Sequence, residues 1–384
     1  MKVCVVGSEN TIFVHGYIKN IKSFGYDVCF VNTSEGYNGS SVESSVGKIN
    51  NYRNLNITED NKRSKVRIFI KSLFSKLKGF GFFCFLFEIY SFYVSKKYSS
   101  DDLKKYMVKE NPDVIIFFWC TTTRKEAFLI SRLKSDGYIN SKLIIDVGTY
   151  PVRDYVKENS FSYLFSLDVE YFSLFDKVFS HSSVLDEFLI SKLKVDNGKI
   201  IRYVCELPLS SRRSKCVANL PNDSFKRKRI IFLGGINKNN IIDNIYEQIE
   251  YLSSLDVDIY MQDSDFKIRN VNYFKPFSFE EILSGELAEF INKFDGVLML
   301  YGKMSRLRQK LTYPTRYALA TLSEVPILVK RDVYDSLEEL SSNQVFFYDD
   351  LKDIVSLLNL NKGITVFENG KYRSYDLNKI LENL

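Results

Sequence analysis

The chain has 384 residues, of which 45% are hydrophobic and 15% aromatic, enough apolar material for two domain cores. Its net charge is +6, and a mildly basic protein of this kind is compatible with nucleic acid, an anionic membrane surface or a phosphate-bearing substrate. Two distant histidines and six scattered cysteines without a CxxC pair argue against a zinc site with histidine ligands and against a Cys–His nucleophile pair.

The first thirty or so residues predict a strand, a helix and a second strand. The strands are Lys2 to Gly7 and Tyr26 to Asn32, and the helix between them is Asn10 to Phe24. A β-α-β unit of this length predicts a parallel sheet with a right-handed crossover. The turn after the first strand does not match GxGxxG, so the sequence gives no support for a dinucleotide site.

A polar stretch and a basic amphipathic stretch come next. Thr33 to Asn61 is rich in Ser, Asn and Gly and predicts a long loop. Ser64 to Lys78 alternates apolar and basic residues at helical spacing, and the aromatic run that follows continues the helix to Tyr93. Such a helix either attaches to an anionic membrane surface or packs on its own domain with a solvated basic face. Gly79 to Ser95 is too short to span a bilayer and contains Glu88.

The rest of the chain alternates strands and helices, with one interruption. In the first half the predicted strands are Pro112 to Cys120, Ser141 to Val147, Lys177 to Ser180 and Ile200 to Val204, and the helices are Asp101 to Glu110, Lys125 to Leu133 and Val184 to Leu193. Leu209 to Lys228 is polar and basic, which is typical of an interdomain linker. Alternation restarts at Arg229 to Leu233, so the sequence predicts two α/β domains.

The stretch from Tyr301 to Lys330 predicts an anion site in the second domain. It begins with a basic loop that contains Lys303, Arg306, Arg308 and Lys310. A helix follows, with Thr312 as its expected N-cap and Pro314 in its first turn. A helix start beside a cationic loop is a common place to bind phosphate.

Ligands of open parallel sheets bind outside the carboxyl ends of the strands. Two such domains therefore predict an active site in the cleft between them.

Several motifs, in their order, resemble bacterial glycosyltransferases of the GT-B fold, in particular the family 4-like group that builds lipopolysaccharide and capsule. These are TIFVHGYIKNIKSFGYDV, DKVFSHSSVLDEFLISKLKVDNGKIIRYV, RIIFLGGINKNNIIDNI and YPTRYALATLSEVP. The last matches the family's donor-helix pattern with identical spacing between the prolines. The resemblance covers nearly the whole chain and implies an α/β, GT-B fold: two Rossmann-like, doubly wound domains that face each other across a cleft.

The resemblance also implies a donor site in the second domain. Arg316 takes the place of the lysine near the donor phosphates, and its planar fork suits a diphosphate. The other donor-binding candidates are Gly234, Gly235, Lys238, Arg306, Lys310, Tyr313 and Thr315. Where the family has two glutamates, this chain has Leu311 and Leu319, so the ribose contact and the usual sequence support for a retaining mechanism are missing.

The first domain supplies the candidates for proton chemistry. Asp146 follows a strand and is the preferred general base, and His15 is a second candidate near the donor. Ser8, Glu9 and Thr149 are expected on the acceptor side. Asp146 and His15 could instead have structural roles, Asp146 as a cap or turn residue and His15 as a histidine on a helix face.

The resemblance thus implies a glycosyltransferase that moves a sugar from a nucleotide-sugar donor to a lipid-linked or polysaccharide acceptor, in the synthesis of O-antigen or capsule. The expected domains are residues 1–208, with the basic aromatic segment 64–95, a linker 209–228, a donor domain 229–370 and a segment 371–384 that packs back on the first domain. No cofactor, metal ion or nucleic acid is expected. The expected location is cytoplasmic, peripheral to the inner membrane. A sugar-nucleotide epimerase of the same fold and a non-catalytic sugar-nucleotide-binding relative remain as alternatives.

Overall fold

The structure is a computed structural model that describes residues 1–34, 41–53, 81–152, 161–205, 207, 227–234, 245–264, 266–300, 305–331, 345–360 and 376–384. The chain divides into two compact units. The first unit comprises Met1–Cys205 together with Tyr375–Leu384, and the second comprises Glu206–Ser374. Each unit is built on its own parallel sheet.

The first unit has a sheet of seven strands within the described residues. In chain order, β1 to β7 are Lys2–Gly7, Asp27–Asn32, Asn50–Arg53, Val114–Phe118, Lys142–Asp146, Lys177–Ser180 and Ile200–Arg202. Their order across the sheet is β3-β2-β1-β4-β5-β6-β7, and each pair is parallel. The central strands are nearly continuous apolar runs because helices cover both faces of such a sheet. The order reverses between β1 and β4, which is the topological switch point where open sheets bind ligands.

Seven described helices connect these strands. In chain order, α1 to α7 are Ile12–Ser23, Val42–Val46, Gly81–Lys96, Asp101–Glu110, Arg124–Ser135, Phe161–Phe172 and Ser183–Ser191. Helix α4 shows how closely local sequence sets the ends: the Ser100 side chain accepts a hydrogen bond from the backbone N–H of Leu103, and Asn111 ends the helix in the left-handed conformation.

The second unit repeats the architecture with six described strands. Strands β8 to β13 are Lys228–Phe232, Val257–Gln262, Val271–Phe274, Gly296–Met299, Ile327–Lys330 and Val345–Tyr348. Their order is β10-β9-β8-β11-β12-β13, so this sheet has its switch point between β8 and β11. Helices α8 to α13 are Ile245–Ser253, Phe279–Ser284, Glu286–Ile291, Arg306–Lys310, Thr315–Ala320 and Asp353–Leu360.

A last helix, α14 (Leu377–Glu382), belongs to the first unit. Its side chains Leu377, Ile380 and Leu381 are buried, and the Tyr26 hydroxyl donates a hydrogen bond to Asn378 Oδ1 at 2.8 Å. The chain therefore leaves the first unit once and returns to it.

Three sequence-based expectations of local structure need correction. The polar stretch predicted as a loop contains α2 and the edge strand β3, which pairs with β2 although its sequence is only NNYR. The basic stretch before α12 is in part a helix, α11, capped by Ser305. Thr312 is not the N-cap of α12: that helix begins at Thr315, after Pro314.

The basic amphipathic helix predicted for 64–78 lies outside the described residues. Its predicted aromatic continuation is confirmed as helical in α3. Among the described helices, none has the length and apolar character needed to cross a bilayer.

Candidate functional site

Arg316 lies at the switch point of the second sheet. Its side chain extends from the first turn of α12 toward the carboxyl ends of β8 and β11. The guanidinium donates a hydrogen bond from Nη1 to the carbonyl oxygen of Leu300 at 2.5 Å and lies over the Phe232 ring, 4.6 Å from its centroid. These two contacts restrict the orientation of the guanidinium fork, so an anion that bound there would cost the side chain little further conformational entropy.

Gly234 is the position that makes room for this guanidinium. A Cβ placed on Gly234 would stand 2.7 Å from Arg316 Nη2 and 2.9 Å from its Nε. A Cβ atom does not approach a non-bonded nitrogen so closely, so any side chain at this position would displace Arg316. The sequence predicts both residues for the donor site, and the structure brings them together.

The other residues predicted for the donor site lie either outside the described residues or in the segment from α11 to α12. Gly235 and Lys238 lie outside the described residues. Arg306 and Lys310 are exposed on α11. Tyr313 is half-buried and packs edge-to-face against Tyr317, with ring centroids 5.8 Å apart, and Thr315 is the first residue of α12. Because α12 has only six residues, its start is not by itself an anion site, and the candidate group for binding an anion is the Arg316 side chain.

The two leucines that stand where glutamates were expected have different environments. Leu311 is 1% exposed and is part of the core of the second unit. Leu319 is half-buried on α12. Neither side chain can accept a hydrogen bond from a ribose hydroxyl, so these two positions cannot supply the contact that the family's glutamates make.

Asp146 ends β5, on the strand beside the switch point of the first sheet. It is 6% exposed, and its Oδ2 accepts a short hydrogen bond from the hydroxyl of Tyr17, a fully buried residue of α1. Within the described part of the chain, Oδ1 accepts no hydrogen bond. Burial raises the pKa of Asp146 to about 7, and the Tyr17 hydrogen bond opposes this shift. A carboxyl group with such a pKa can exchange a proton near neutral pH.

His15 has a different environment from the one expected of a catalytic base. It is completely buried, with Nε2 2.7 Å from the carbonyl oxygen of Glu9 and Nδ1 2.5 Å from the Ser45 hydroxyl. Since a carbonyl can only accept, Nε2 carries the proton. Burial lowers the pKa of His15, so the neutral ring is favoured. Both ring nitrogens are used within the unit, and this favours a structural role in which His15 holds the loop after β1.

The acceptor-side candidates lie on the loops that follow β1 and β5. Ser8 shapes the first loop: its carbonyl oxygen accepts from the N–H of Thr11 at 3.1 Å, and its hydroxyl accepts from the N–H of Asn10 at 3.3 Å. Glu9 is 2% exposed, and its N–H donates to Asn32 Oδ1 at 3.3 Å. Thr149 is buried in the loop after Asp146. The structure thus places all three at the carboxyl edge of the first sheet.

A buried polar network supports the loop that contains Thr149. The hydroxyl of Tyr150 donates to Asp168 Oδ2 at 2.6 Å, and Arg124 Nη2 pairs with Asp168 Oδ1 at 2.7 Å. Arg124 also lies 3.7 Å from a carboxylate oxygen of Glu88. The network joins α3, α5 and α6 to the loop that follows the strand of Asp146.

Sequence reasoning missed two residues of this region. Tyr17 reaches Asp146 from 129 positions away, and no local pattern marks that contact. Trp119 was counted as part of a strand, but β4 ends at Phe118 and the tryptophan begins the next turn with a positive φ of 73°. The usable signal for Trp119 was its place near the carboxyl end of the predicted strand Pro112 to Cys120, the end at which open sheets bind ligands.

No known protein-family profile matches the sequence, and no curated protein matches it. Solved structures do match. Sucrose-phosphate synthase from Thermosynechococcus elongatus aligns over 94% of this chain and 89% of its own, with a TM-score of 0.54 and 9% identity. The glycosyltransferase SnogD from Streptomyces nogalater aligns over 91% of this chain and 86% of its own, with a TM-score of 0.47 and 12% identity.

The fold is GT-B. This conclusion rests on the synthase, whose TM-score exceeds 0.5, and on the two doubly wound parallel sheets described above. At 9% identity the likeness concerns the fold alone. This likeness confirms the GT-B fold that the sequence motifs led us to expect.

Proposed function

We propose that the protein is a glycosyltransferase that moves a sugar from a nucleotide-sugar donor to an acceptor hydroxyl. The observation that carries the proposal is the position of Arg316, whose guanidinium is anchored by Leu300 and Phe232 at the switch point of the second sheet. A guanidinium fork held in this way suits the two phosphates of a nucleoside diphosphate. The GT-B fold supports the same function.

In the proposed reaction, the acceptor oxygen forms a bond to the anomeric carbon while the bond from that carbon to the phosphate oxygen breaks. Arg316 stabilises the charge that grows on the departing nucleoside diphosphate. Asp146 accepts the proton of the acceptor hydroxyl, which its raised pKa permits. Gly235, Lys238, Arg306 and Lys310 are further candidates for the diphosphate, and Ser8, Glu9 and Thr149 for the acceptor. The resemblance implies no metal ion in this step.

The donor half of the proposal is tested by binding. UDP-, GDP- and dTDP-sugars are titrated calorimetrically into the full-length protein and into Arg316→Ala and Arg316→Lys. Loss of a charged hydrogen-bond partner predicts about tenfold or greater weakening for the alanine variant. The lysine variant should recover part of the affinity, because it keeps the charge but loses the fork.

Arg227→Ala is the matched control. Arg227 belongs to the same unit but precedes β8, where it pairs with Asp256 and Asp258. Its removal should leave donor binding unchanged. Equal donor affinity for wild type and Arg316→Ala would contradict the assigned role of Arg316, and failure of every nucleotide sugar to bind would overturn the proposed function.

A second candidate function is non-catalytic binding of a sugar nucleotide. The observation that favours it is the apolar character of Leu311 and Leu319, which removes the expected carboxylates from the donor helix region. Turnover separates the candidates: a transferase releases nucleoside diphosphate when an acceptor is present, an epimerase changes the sugar without an acceptor, and a binding protein does neither.

We further propose a lipid-linked or polysaccharide acceptor of cell-surface glycan synthesis, at the cytoplasmic face of the inner membrane. The support is the basic composition of 64–78, together with exposed apolar side chains on α3, namely Leu86, Tyr90, Tyr93 and Val94. Co-sedimentation with vesicles tests it. Binding should increase with the fraction of anionic lipid and fall when Tyr90 and Tyr93 are replaced by serine; equal binding by wild type and this variant would contradict the assignment.

A further inference from the structure

Trp119 is the single tryptophan of the chain, and it occupies an unusual backbone position. It follows β4 directly, at the switch point of the first sheet, with φ 73° and ψ 59°. The next residue, Cys120, also has a positive φ of 47°. Two consecutive non-glycine residues in the left-handed region are sterically strained, and such strain concentrates at binding and catalytic sites.

The free oxygen of Asp146 and the indole of Trp119 border the same small space. A Cβ placed on Gly148 would stand 3.8 Å from Asp146 Oδ1 and 3.9 Å from Trp119 Cδ1. Glycine at this position therefore keeps both groups open to a ligand. Tyr17 occupies Oδ2, so Oδ1 is the oxygen left to accept a hydrogen bond. The Asp146 side chain is more than nine-tenths buried, and among the described residues no group donates a hydrogen bond to its Oδ1, which is therefore available to a hydroxyl of a ligand.

The chemistry of the two groups defines the ligand. A half-buried indole presents an electron-rich face to weakly positive C–H groups. A carboxylate oxygen beside it accepts a hydrogen bond from a hydroxyl. A pyranose ring carries both partners, an apolar C–H face and hydroxyls at its edge.

We propose that Trp119 and Asp146 bind a pyranose ring of the acceptor, with the ring against the indole and one hydroxyl donating to Asp146 Oδ1. The identification of this sugar as the acceptor rests on the proposed function. The site itself does not, because it belongs entirely to the first unit.

The single tryptophan provides a direct assay. Methyl glycosides of glucose, galactose, mannose and N-acetylglucosamine are titrated into the full-length protein while tryptophan emission is recorded. A saturable change for at least one glycoside is expected, since Trp119 is the only source of that emission. No saturable change with any of the four, together with no saturation transfer by NMR, would overturn the proposal.

Gly148→Ala is the most informative variant. Its backbone φ is not in the left-handed region and the new methyl group would make only ordinary van der Waals contacts, so the variant should fold normally. The methyl group would nevertheless fill the space between the two groups, and we expect at least tenfold weaker binding. Gly198→Ala is the matched control in the same unit, with its nearest contact at 3.5 Å. Unchanged affinity in Gly148→Ala would overturn the proposal.

Asp146→Asn and Trp119→Ala complete the series. The first should weaken glycoside binding about tenfold through loss of a charge-assisted hydrogen bond. The second removes the fluorescent probe, so its binding is followed by saturation-transfer NMR, with Tyr138→Ala as the control for loss of an exposed aromatic ring in the same unit. Nucleotide-sugar binding in Trp119→Ala separates the two proposals. If donor binding and transfer are both retained at the wild-type level, this inference fails and the proposed function stands.

Discussion

Asp146 carries a carboxyl group in surroundings that disfavour its charge. Burial raises its pKa to about 7, and the hydrogen bond from Tyr17 keeps the pKa from rising further. A carboxyl whose pKa is higher in the folded state binds a proton more tightly there than in the unfolded chain. Its contribution to stability is therefore favourable at low pH and is lost as the pH rises toward 7.

The pH dependence of unfolding tests this description. For Asp146→Asn we expect the free energy of unfolding to fall less than in wild type between about pH 5 and about pH 8, because no buried charge forms. The loss of unfolding free energy over this pH range should differ between wild type and Asp146→Asn by a few kcal/mol at most. Urea unfolding followed by circular dichroism across this range measures it.

Tyr17→Phe should have the opposite effect on the same measurement. Loss of the hydroxyl removes the interaction that lowers the pKa of Asp146, so the loss of stability should continue to higher pH and be larger over this range than in wild type. Tyr138→Phe, which alters an exposed tyrosine, should leave the slope unchanged. Parallel slopes in wild type and Tyr17→Phe would contradict the proposed coupling.

Substitutions of Gly234 and Arg316 should have non-additive effects on donor affinity. Gly234→Ala forces the guanidinium away from its place over Phe232, so donor affinity should fall about as far as in Arg316→Ala. The double variant should lose little more than either single one, since both changes remove the same interaction. Calorimetric titration of the four proteins gives the coupling energy, and fully additive losses would refute the shared mechanism.

At the scale of elements, local patterns predicted most of the sheet but not its edges. Buried apolar runs identified the central strands, and Lys2–Gly7 and Lys177–Ser180 were predicted with their observed bounds. The edge strand β3 was missed because its sequence, NNYR, carries no apolar signal and it forms through pairing with β2. Pro314 lies before α12 and not within it, which shifted the predicted helix start and its cap.

Local sequence patterns also identified only part of the candidate site. They identified Arg316, because the family pattern depends on spacing along the chain. The contacts of Tyr17 and Trp119 with the region of Asp146 depend on how distant segments meet, and hydrophobic periodicity does not report that.

The buried network around Asp168 fixes helices α5 and α6 to each other. Asp168→Asn leaves the Arg124 charge buried without its closest partner, and breaking such a pair costs about 3–5 kcal/mol. Thermal unfolding should therefore show a large decrease in Tm. Asp101→Asn, in the exposed pair with Lys104, should change the stability by at most about 0.5 kcal/mol. Similar shifts in the two variants would contradict a structural role for the network.

At the scale of the whole molecule, the two units are separate compact bodies, and the first includes residues from both ends of the sequence. Deletion of 375–384 should destabilise the first unit selectively. It exposes the apolar groups that pack against Leu377, Ile380 and Leu381, and each buried side chain of this size contributes roughly 1.5–3 kcal/mol. Calorimetry should show the transition of the first unit shifted to lower temperature and that of the second unchanged. An unaltered thermogram would show that α14 contributes nothing.

The return of the chain to the first unit has a consequence for biosynthesis. A ribosome that adds about 5–20 residues per second needs on the order of ten seconds or more to make Glu206–Ser374 before it reaches α14. During that interval the nascent first unit exposes the apolar surface that α14 later covers. The packing of the first unit can therefore be completed only after the whole of the second unit has been synthesised.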